Sequence, residues 1–393
     1  MDVGIVGLNS RAIAESAQRA GLDVYLAGYY PDTDLELAED RVFSMQRNPL
    51  GPDLGGEYSA EALVDLAIEK LSGLVDLVIP TSVMGCNVHL LRGLEREFEI
   101  LGNGSGKVER VKTWKSLEKI LRDVGAEFPE TVVVDSVDEL NSAMERIGFP
   151  AVLKSPYEGG GVGQHLLRDI ADVENKEWAF ESGRELLLQR YVDGIPVSAS
   201  VLSDGKNSLA ISVNRQLIGT GEFNAMKEFT YCGNLVPLDS GMNEKIAELS
   251  ERIISKAGLL GSVGIDYIMS GDRLYFMEIN PRLQDTLECV ERYRRINLVE
   301  KHMDAINGEL ETKEFRSGRC FGKGIIFADG GVIIDGLGKA EDVADVPPDG
   351  SVIRAHEPVC SVFAEGRGNE EVTDMLKKGA GHVLSTFCSP CID

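Results

Sequence analysis

The residues best suited to chemistry are three oxygen-bearing side chains of one predicted hairpin: Asp266, Glu278 and Asn280. The apolar runs 262–269 and 274–280 surround a short turn and predict two antiparallel strands. Glu278 and Asn280 are two residues apart and share a face, which Asp266 joins if the turn has an odd number of residues. Carboxylate and amide oxygens suit Mg²⁺ that also keeps phosphate ligands. A solvated polar face is the alternative, but the apolar residues alternating with the acids favour a metal site.

A glycine-rich stretch follows the apolar strand that ends at Lys154. Its glycines are Gly159, Gly160, Gly161 and Gly163. Backbone N–H groups of such a loop can close over a triphosphate while the lysine supplies a point charge. A flexible surface loop is the alternative. The position of the stretch, after a lysine-bearing strand and before the metal hairpin, favours phosphate binding.

The apolar run 186–188 leads into a short linker that contains Gln189, Arg190 and Val192. A strand that ends in a linker can offer backbone N–H and C=O groups to the edge of an adenine ring. Taken alone, the run is more typical of a core strand. We therefore interpret it together with the lysine strand and the metal hairpin.

Arg215 and the segment 229–234 are further candidates. Arg215 ends a predicted hairpin, where a base can reach a triphosphate, but a surface arginine fits the pattern as well. The segment 229–234 mixes aromatic and amide groups and predicts either a substrate-binding loop or a plain turn. Cys388 and Cys391 form a CxxC with no second pair, which leaves open an incidental role, a disulfide or a metal site that borrows another cysteine.

Two glycine motifs lack the pattern of a nucleotide loop. Gly7 alone stands at the tip of the first predicted turn, so a dinucleotide fingerprint is weakly supported. The stretch 102–108 is one residue short of a Walker loop and has Val108 where Mg²⁺ binding needs Ser or Thr. We predict that this stretch is a flexible boundary between domains.

The predicted elements divide the chain into three parts. Up to about residue 105, strands alternate with helices, which predicts a parallel α/β sheet. A helix at 112–124 opens the second part, which continues with strands, two long hairpins and a helix at 243–257. From residue 320 the pattern is rich in strands until a final helix at 369–384.

Composition excludes several classes of protein. The chain has 393 residues and a formal net charge of −24, which disfavours nucleic acid and anionic lipid as partners. No run approaches the roughly 18 apolar residues of a membrane helix. The seven cysteines are odd in number and mostly isolated, unlike a secreted disulfide framework. We expect a soluble, cytoplasmic protein.

In this order, the lysine strand, the linker after 188 and the closing Glu-Ile-Asn-Pro-Arg of 278–282 resemble the ATP-grasp superfamily. The resemblance spans about 110–305 and looks closest to biotin carboxylase and its carboligase-like branch. It implies an α/β and α+β chain: an N-terminal Rossmann-like, pre-ATP-grasp domain, the ATP-grasp domain and a C-terminal β-rich domain. The implied boundaries are 1–108, 109–305 and 306–393, with a lid subdomain at about 126–192.

The resemblance also implies roles for the candidate residues. Lys154 contacts the α- and β-phosphates, and Lys115, or alternatively Lys112, is a second phosphate lysine. Arg282 faces the γ-phosphate, with Arg215 as a further catalytic candidate. The glycines 159–161 and 163 cover the phosphates. The remaining implied groups are the adenine linker with Gln189, Arg190 and Val192, and the Mg²⁺ ligands Asp266, Glu278 and Asn280.

Two positions depart from the family's pattern. Many ATP-grasp enzymes hold the ribose with a glutamate just after the linker glycine, where this chain has Ile195, so ribose binding passes to Ser198 or another group. Carboxylases of the biotin type have a glutamate near bicarbonate where this chain has Thr286. The second departure argues against bicarbonate as the substrate.

The resemblance implies an ADP-forming ligase that activates a small carboxylic acid as an acyl phosphate and joins it to an amine or another nucleophile. Its cofactors would be ATP and Mg²⁺, with two ions expected and Mn²⁺ as a substitute. The partners would be the acid and the amine, and a homodimer is compatible with the family. The alternatives are a carboxyphosphate-forming enzyme that uses bicarbonate and a regulatory protein that binds ATP without chemistry.

Overall fold

The computed structural model describes residues 1–30, 32–45, 59–174, 176–181, 183–311 and 316–391. The helices are α1 (Arg11–Arg19), α2 (Ala60–Leu71), α3 (Val88–Leu94), α4 (Ser105–Lys112), α5 (Trp114–Asp123), α6 (Val137–Ile147), α7 (Ile170–Glu174), α8 (Asn243–Ala257), α9 (Leu287–Arg294), α10 (Leu298–Ile306) and α11 (Asn369–Phe387). The strands are β1 (Asp2–Gly7), β2 (Asp23–Gly28), β3 (Val42–Ser44), β4 (Leu77–Pro80), β5 (Glu99–Ile100), β6 (Thr131–Val134), β7 (Ala151–Lys154), β8 (His165–Leu167), β9 (Leu186–Arg190), β10 (Ile195–Asp204), β11 (Ser208–Ile218), β12 (Tyr231–Val236), β13 (Leu260–Ser270), β14 (Arg273–Asn280), β15 (Cys320–Phe327), β16 (Val332–Ile334), β17 (Val343–Ala344), β18 (Val352–Ile353), β19 (Pro358–Gly366) and β20 (Cys388–Pro390). None of the described helices combines the length and the hydropathy that crossing a membrane requires.

The first five strands form a parallel sheet in the order β3-β2-β1-β4-β5. The central strand β1 pairs with β2 and β4, and its Val3 and Ile5 side chains are fully buried. Parallel strands need crossover connections, which α1, α2 and α3 provide. Helix α2 begins after Ser59, whose Oγ accepts the backbone N–H of Ala62 and so caps the first turn. The α/β organisation predicted for this part is confirmed.

The largest sheet of the described residues is antiparallel, with the order β14-β13-β10-β11-β12-β15-β19-β17. Helix α8 buries Ile246, Ile253 and Ile254 in the core shared with this sheet. The helix ends at Gly258, whose φ of +70° suits glycine. The sheet continues across residue 305, because Leu235 of β12 pairs with Gly322 of β15. The C-terminal strands β15, β17 and β19 therefore extend the sheet that carries the predicted metal hairpin.

A smaller antiparallel sheet, β6-β9-β7-β8, lies within the predicted lid. Helix α6 covers it and buries Leu140 and Ile147 against the strand residues Leu153 and Leu188. This helix is capped by Ser136, whose Oγ accepts the backbone N–H that follows in the first turn. The lid sheet presents the end of β7, where Lys154 stands, and the end of β9, where the linker begins.

The stretch 102–107 was predicted to be flexible, and this prediction is wrong. Asn103 is 4% exposed, and its amide donates to the carbonyl oxygens of Leu260 and Pro281 at 2.8 and 3.1 Å. From Ser105 onward the chain is helical, and Lys107 Nζ donates to the Gly258 carbonyl at 2.7 Å. The stretch is thus a fixed joint between the parallel sheet and β13.

His302 also connects the N-terminal part to β13. Its ring is 2% exposed, Nδ1 accepts the backbone N–H of Ser262 at 2.7 Å, and Nε2 lies 3.1 Å from the Leu101 carbonyl oxygen. Burial lowers the pKa of His302 from 6.5 to about 4, against the opposing effect of the Leu101 carbonyl. The ring therefore stays neutral in the folded protein at pH values where the unfolded chain binds a proton.

Lowering the pH from 6.5 to 4 is expected to reduce the free energy of unfolding through His302. The folded-state pKa lies below the unfolded-state value, so the stabilisation is complete above pH 6.5 and is lost as the pH falls through about 4. The loss is at most about 1.4 kcal/mol per pH unit, or roughly 3 kcal/mol over this interval. Urea denaturation at a series of pH values measures it. His302→Asn should flatten this part of the profile, and the exposed His89→Asn variant should not; equal slopes in all three proteins would contradict the assignment.

Candidate active site

A cavity of about 420 Å³ lies between the lid sheet and the central sheet. The lid contributes the end of β7, the loop after it and the linker after β9, whereas the central sheet contributes β10, β11, β13 and β14. Most of the predicted site residues line it: Lys154, Gly159, Gly160, Gly161, Gln189, Arg190, Val192, Asp266, Glu278, Asn280 and Arg282. Lys115, Gly163 and Arg215 are not part of the lining.

The predicted metal hairpin brings Asp266 opposite Glu278, as the sequence suggested, but by another route. The turn between Ser270 and Arg273 has two residues, so the required odd number is absent. A β-bulge supplies the shift instead, because Tyr267 pairs with Phe276 while Asp266 pairs with Glu278. The extra residue in between is residue 277, and it leaves both carboxylates on the cavity side.

Asp266 is the centre of the hydrogen bonds in this cluster. Its Oδ2 accepts from Asn280 Nδ2 at 2.8 Å, and its Oδ1 accepts from Gln216 Nε2 at 3.0 Å. Burial, and then the charge of Glu278, raise the pKa of Asp266 to about 7, although the bond from Asn280 opposes the shift. Two half-buried carboxylates that face each other repel, and a bound cation or a proton relieves that repulsion.

The donor set fits a hard divalent cation that retains other ligands. Asp266, Glu278 and Asn280 offer oxygen ligands, which Mg²⁺ prefers together with phosphate oxygens and water. No group of three or more His, Cys, Asp or Glu suited to a metal occurs among the described residues. The protein thus supplies few ligands at this cluster, as expected where a nucleotide completes the shell.

Lys154 lies between the end of β9 and the Asp266–Glu278 carboxylates. The side chain is 7% exposed, and its Nζ donates to Gln189 Oε1 at 3.0 Å and to the Met277 carbonyl at 3.4 Å. Burial lowers the pKa of Lys154, and the nearby charge of Glu278 opposes this effect. The ammonium group therefore stands between the linker and the carboxylates, where a triphosphate would need positive charge.

The second phosphate lysine must be corrected from Lys115 to its alternative, Lys112. Lys115 is exposed on α5 and lies outside the cavity, whereas Lys112 is 5% exposed and lines an adjoining recess together with Lys154 and Glu278. The predicted helix 112–124 is in fact broken at Thr113, which has extended backbone angles. The break ends α4 at Lys112 and turns the next helix so that position 115 faces solvent.

The linker residues line the cavity, but their side chains are already engaged. Gln189 is 3% exposed and uses its amide to accept from Lys154 and to donate to Thr131 Oγ1 at 2.9 Å. The guanidinium of Arg190 pairs with Glu130 at 3.2 Å on the exposed side.

Gln189 and Arg190 also belong to β9 rather than to the linker that the sequence had suggested, and Gln189 pairs with strands on both sides. The backbone N–H groups of Arg190 and Tyr191 donate to the carbonyl oxygens of Glu130 and Pro150. Any backbone contact with an adenine edge therefore falls to the segment that follows β9.

Arg215 is exposed and does not reach the cavity. Its neighbours in β11, Asn214 and Gln216, point to the opposite face, where Asn214 is fully buried and Gln216 donates to Asp266. The structure therefore does not bring Arg215 to the predicted site; its neighbour Gln216, which the sequence analysis did not consider, lines the cavity instead. The alternation within Asn-Arg-Gln was the available signal, since only one of its two faces can meet the cavity.

The glycine loop is docked against the segment that precedes β12. The backbone N–H of Tyr231 donates to the Gly160 carbonyl at 3.1 Å, and Arg168 pairs with Glu228 beside it. Gly161 has a φ of +84°, and an added Cβ there would overlap the carbonyl group of Phe229. Gly163 has a φ of +67° but lies outside the lining. The segment 229–234 was predicted to be a substrate loop or a plain turn, but from Tyr231 onward it is strand β12; the residues just before that strand hold the glycine loop.

Gly161→Ala is expected to reduce kcat/KM for ATP by roughly 10-fold or more. The new methyl group meets backbone atoms of Phe229 and also requires a left-handed φ, so the loop must leave its docked position. Steady-state ADP formation measures the effect. Gly159→Ala is the matched control, because its added Cβ meets open space, and it should stay within about threefold of wild type. Equal losses in both variants would contradict the docked loop.

Arg282 lies at the boundary with the N-terminal part. Its Nη1 donates to the Leu283 carbonyl at 2.8 Å, and its buried Nε has no hydrogen-bond partner in the part of the chain that the structure describes. The side chain packs against Gly85, next to Cys86. An unpaired buried guanidinium N–H in a cavity with a metal cluster is suited to an anionic ligand.

The C-terminal cysteines lie apart from the cavity. Cys388 belongs to β20, and both it and Cys391 are free thiols of intermediate exposure. Among the described residues, neither cysteine belongs to a group of His, Cys, Asp or Glu that could hold a metal ion. The two cysteines form no disulfide in this structure, and the sequence-based alternative of a disulfide between them stays a prediction.

Residues 112–286 match the family model described as an ATP-grasp domain. This chain therefore contains an ATP-grasp domain, and the resemblance recognised in its sequence is confirmed. An uncharacterized protein of Methanocaldococcus jannaschii is 28% identical over 363 residues, which cover 92% of this chain and 87% of that protein. The carbamoyl phosphate synthase large chain of Clostridium botulinum is 23% identical over 218 residues, or 55% of this chain but only 20% of that protein.

Solved structures show the same fold over nearly the whole chain. The biotin carboxylase domain of the Hydrogenobacter thermophilus 2-oxoglutarate carboxylase aligns with a TM-score of 0.73 at 18% identity, covering 99% of this chain and 90% of that one. The L-amino acid ligase of Bacillus licheniformis aligns with a TM-score of 0.69 at 16% identity, covering 97% of each chain. The predicted ATP-grasp fold with an N-terminal parallel α/β part is thus confirmed.

Proposed function

We propose that this protein is an ATP-dependent ligase that activates a small-molecule carboxylate as an acyl phosphate and transfers the acyl group to an amine or another nucleophile. One observation carries the proposal. Lys154 lies in one cavity with the linker and with the Asp266–Glu278 pair, and its ammonium group contacts Gln189 and Met277. Charge for a triphosphate and ligands for its metal are therefore adjacent.

Each group has a separate part in holding the nucleotide. Backbone groups of residues 191 and 192, which follow β9, face the adenine, and Ser198, 6% exposed in the lining, is the candidate for the ribose. Lys154 and Lys112 neutralise phosphate oxygens, and the glycine loop covers them. Asp266, Glu278 and Asn280 would hold one or two Mg²⁺ or Mn²⁺ ions, which supply positive charge to the triphosphate. The ATP-grasp fold and the neighbours solved with nucleotide support this arrangement.

The chemistry needs positioning and charge, with no nucleophilic side chain. The substrate carboxylate attacks the γ-phosphorus in line, ADP leaves, and Arg282 with Lys154 stabilises the charge on the transferring oxygens. The nucleophile then attacks the acyl carbon and releases phosphate. Closure of the glycine loop onto residues 228–231 excludes the water that would hydrolyse the acyl phosphate.

A bicarbonate-using enzyme is the second candidate, because the fold is shared with a biotin carboxylase domain. Thr286 argues against it: the side chain is 7% exposed, lies 3.4 Å from Ser200 Oγ and offers no charge. A non-catalytic nucleotide-binding protein is the third candidate. A protein that only binds a nucleotide would have no use for Arg282 beside the proposed metal ligands Asp266, Glu278 and Asn280.

An ADP-release screen tests the proposal. Purified protein with MgATP is assayed against a panel of carboxylic acids, with hydroxylamine as a general nucleophile that traps an acyl phosphate as a hydroxamate. We expect ADP and hydroxamate in equal amounts for one class of acid. ADP release that needs only bicarbonate would support the second candidate. Tight ATP binding without ADP from any acid would support the third.

Assembly and location belong to the proposal as well. The oxoglutarate carboxylase neighbour is a domain dimer, and we propose a homodimer here, which sedimentation velocity at several concentrations measures. A reaction that consumes MgATP and small metabolites fits the cytoplasm. A sedimentation coefficient of a monomer at all concentrations would contradict the dimer.

A further inference from the structure

The N-terminal parallel sheet has a topological switch point between β1 and β4, and the loops there contact a residue that lines the cavity. Strand β1 continues to β2 on one side, whereas the neighbouring strand β4 continues to β5 on the other. The loops after β1 and β4 therefore diverge, and such a switch point at the carboxyl ends of parallel strands is where open α/β sheets bind ligands. Asn9 and Ser82 stand in these two loops, with the Asn9 backbone N–H 3.4 Å from Ser82 Oγ.

Asp285 connects this switch point to the metal cluster. It lines the cavity, and its Oδ1 accepts from Asn9 Nδ2 at 3.1 Å. Ser82 has a φ of +50°, an uncommon conformation for a residue with a side chain and one that is concentrated at ligand sites. Tyr231, another lining residue, is also near: burial and then the charge of Asp285 raise the pKa of its phenol.

The carboxylate of Asp285 has no ion pair among the described residues, although cations lie nearby. Arg11 is bound by Asp345 and Glu288, each at 2.8 Å. Lys323, which is 1% exposed, is bound by the same two carboxylates at 3.2 and 3.0 Å. Both cations are therefore engaged by other carboxylates, and Asp285 lines the cavity without a cation bound to it among the described residues.

Acceptor atoms without donors surround the same region. Gln284 Oε1 is buried without a hydrogen-bond partner among the described residues, and Gln284 lines the cavity. Asn234 is fully buried, donates to the Tyr231 hydroxyl at 2.7 Å and leaves its own Oδ1 unpaired. Buried acceptors of this kind are costly unless a ligand brings N–H groups.

We infer that Asp285 binds the ammonium group of the second substrate, so that the nucleophile is a primary amine held between Asn9 and the metal cluster. This inference rests on the proposed function and narrows its nucleophile. Arg282 then faces the anionic acyl phosphate, and Asp285 faces the cationic amine. The site is thereby biased toward a positively charged nucleophile and against water.

The transfer step balances for an ammonium substrate. The C–N bond forms as the C–O bond to phosphate breaks, and R–CO–OPO₃²⁻ with R′–NH₃⁺ gives the amide R–CO–NH–R′, HPO₄²⁻ and one proton. An ammonium ion has no lone pair, so one proton is first released to solvent and the neutral amine attacks the acyl carbon. A second proton leaves the nitrogen for the departing phosphate. Asp285 holds the nitrogen in place while these protons leave.

The test compares a charged and an uncharged nucleophile in one enzyme. The acid found in the hydroxylamine screen is assayed with MgATP and either hydroxylamine, which is uncharged at neutral pH, or a panel of L-amino acids and alkyl diamines. Asp285→Asn should raise the KM for the preferred amine by roughly 10- to 100-fold, because a charge-assisted hydrogen bond is lost. Hydroxamate formation should stay within about twofold of wild type. Asp272→Asn, an exposed change in the turn of the same hairpin, is the matched control and should change neither reaction.

Asn9→Ala is a second variant, in case Asp285→Asn fails to fold. It removes one neutral hydrogen bond to Asp285 and should raise the KM for the amine by roughly 2- to 10-fold with hydroxamate formation retained. An unchanged amine KM in the folded Asp285→Asn protein would overturn the inference, as would equal losses in both reactions. The absence of any hydroxamate in wild type would instead overturn the proposed function.

Discussion

Replacing Glu278 by alanine is expected to lower MgATP-dependent ADP formation by roughly 10³-fold or more, since metal-supplied charge is worth several kcal/mol in the transition state. Glu278 faces Asp266 across the β-bulge, and no third carboxylate is near enough to replace it among the described residues. Single-turnover formation of ADP with the acid identified in the screen measures the effect. Substantial residual turnover in a folded variant would contradict the role of the metal pair.

Without metal, Glu278→Ala should not lower the thermal stability of the protein. Glu278 contributes to the raised pKa of Asp266, so its removal relieves repulsion between half-buried carboxylates. We expect the Tm of metal-free Glu278→Ala to equal or exceed that of wild type, and the rise in Tm on addition of MgADP to be lost. Glu127→Ala is the matched control: its partner Arg273 lies in the same hairpin, but the pair is exposed outside the cavity, so binding and turnover should be unchanged.

Replacing Lys154 by methionine is expected to reduce kcat by roughly 10²-fold, the size typical of removing one preorganised charge donor. The ammonium group sits between Gln189 and Met277 at the edge of the cavity, and a neutral water molecule in its place would not supply the lost positive charge. Methionine keeps the length and the packing of the lysine stem. Steady-state kinetics with varied ATP separates a loss in kcat from a loss in binding.

Two neighbouring lysines make this prediction specific. Lys112→Met should also lower activity, because Lys112 lines the recess beside Lys154 and Glu278, whereas Lys115→Met should behave as wild type because Lys115 faces solvent. Comparison of these two variants therefore decides whether Lys112 or Lys115 is the second phosphate lysine, which the sequence left open. A loss in Lys115→Met together with a silent Lys112→Met would contradict the placement of both residues.

Local patterns predicted most of the fold correctly, because secondary structure depends on spacing that a short window contains. The helix at 243–257 was predicted at the residues where the structure has it, and the strand predicted to end at Lys154 does end there. The break at Thr113 was missed, since it depends on how α4 packs against the N-terminal part and α5 against α8. Position 115 was consequently assigned to the wrong face.

In the candidate site, too, local motifs were predicted correctly and features that depend on packing were not. The lysine strand, the glycine loop and the metal hairpin could be found because each is a compact motif whose side-chain types suit phosphate or Mg²⁺. Arg215 was chosen over Gln216 because a single strand does not reveal which of its two faces meets a cavity. The pairing of Asp266 with Glu278 was anticipated through an odd turn, but it arises from a bulge, which shifts the register without changing the turn.

The sequence by itself determined which chemical groups this protein carries and in what order, because the hydrophobic periodicity and the glycine positions are local properties. Only the tertiary structure decided which groups meet. Asn9 and Asp285 are 276 residues apart, yet their side chains are 3.1 Å apart. Such a contact depends on the packing of the parallel sheet against the central sheet. The candidate phosphate and metal motifs could therefore be predicted, whereas the contact on which the proposed amine subsite rests is seen only in the folded chain.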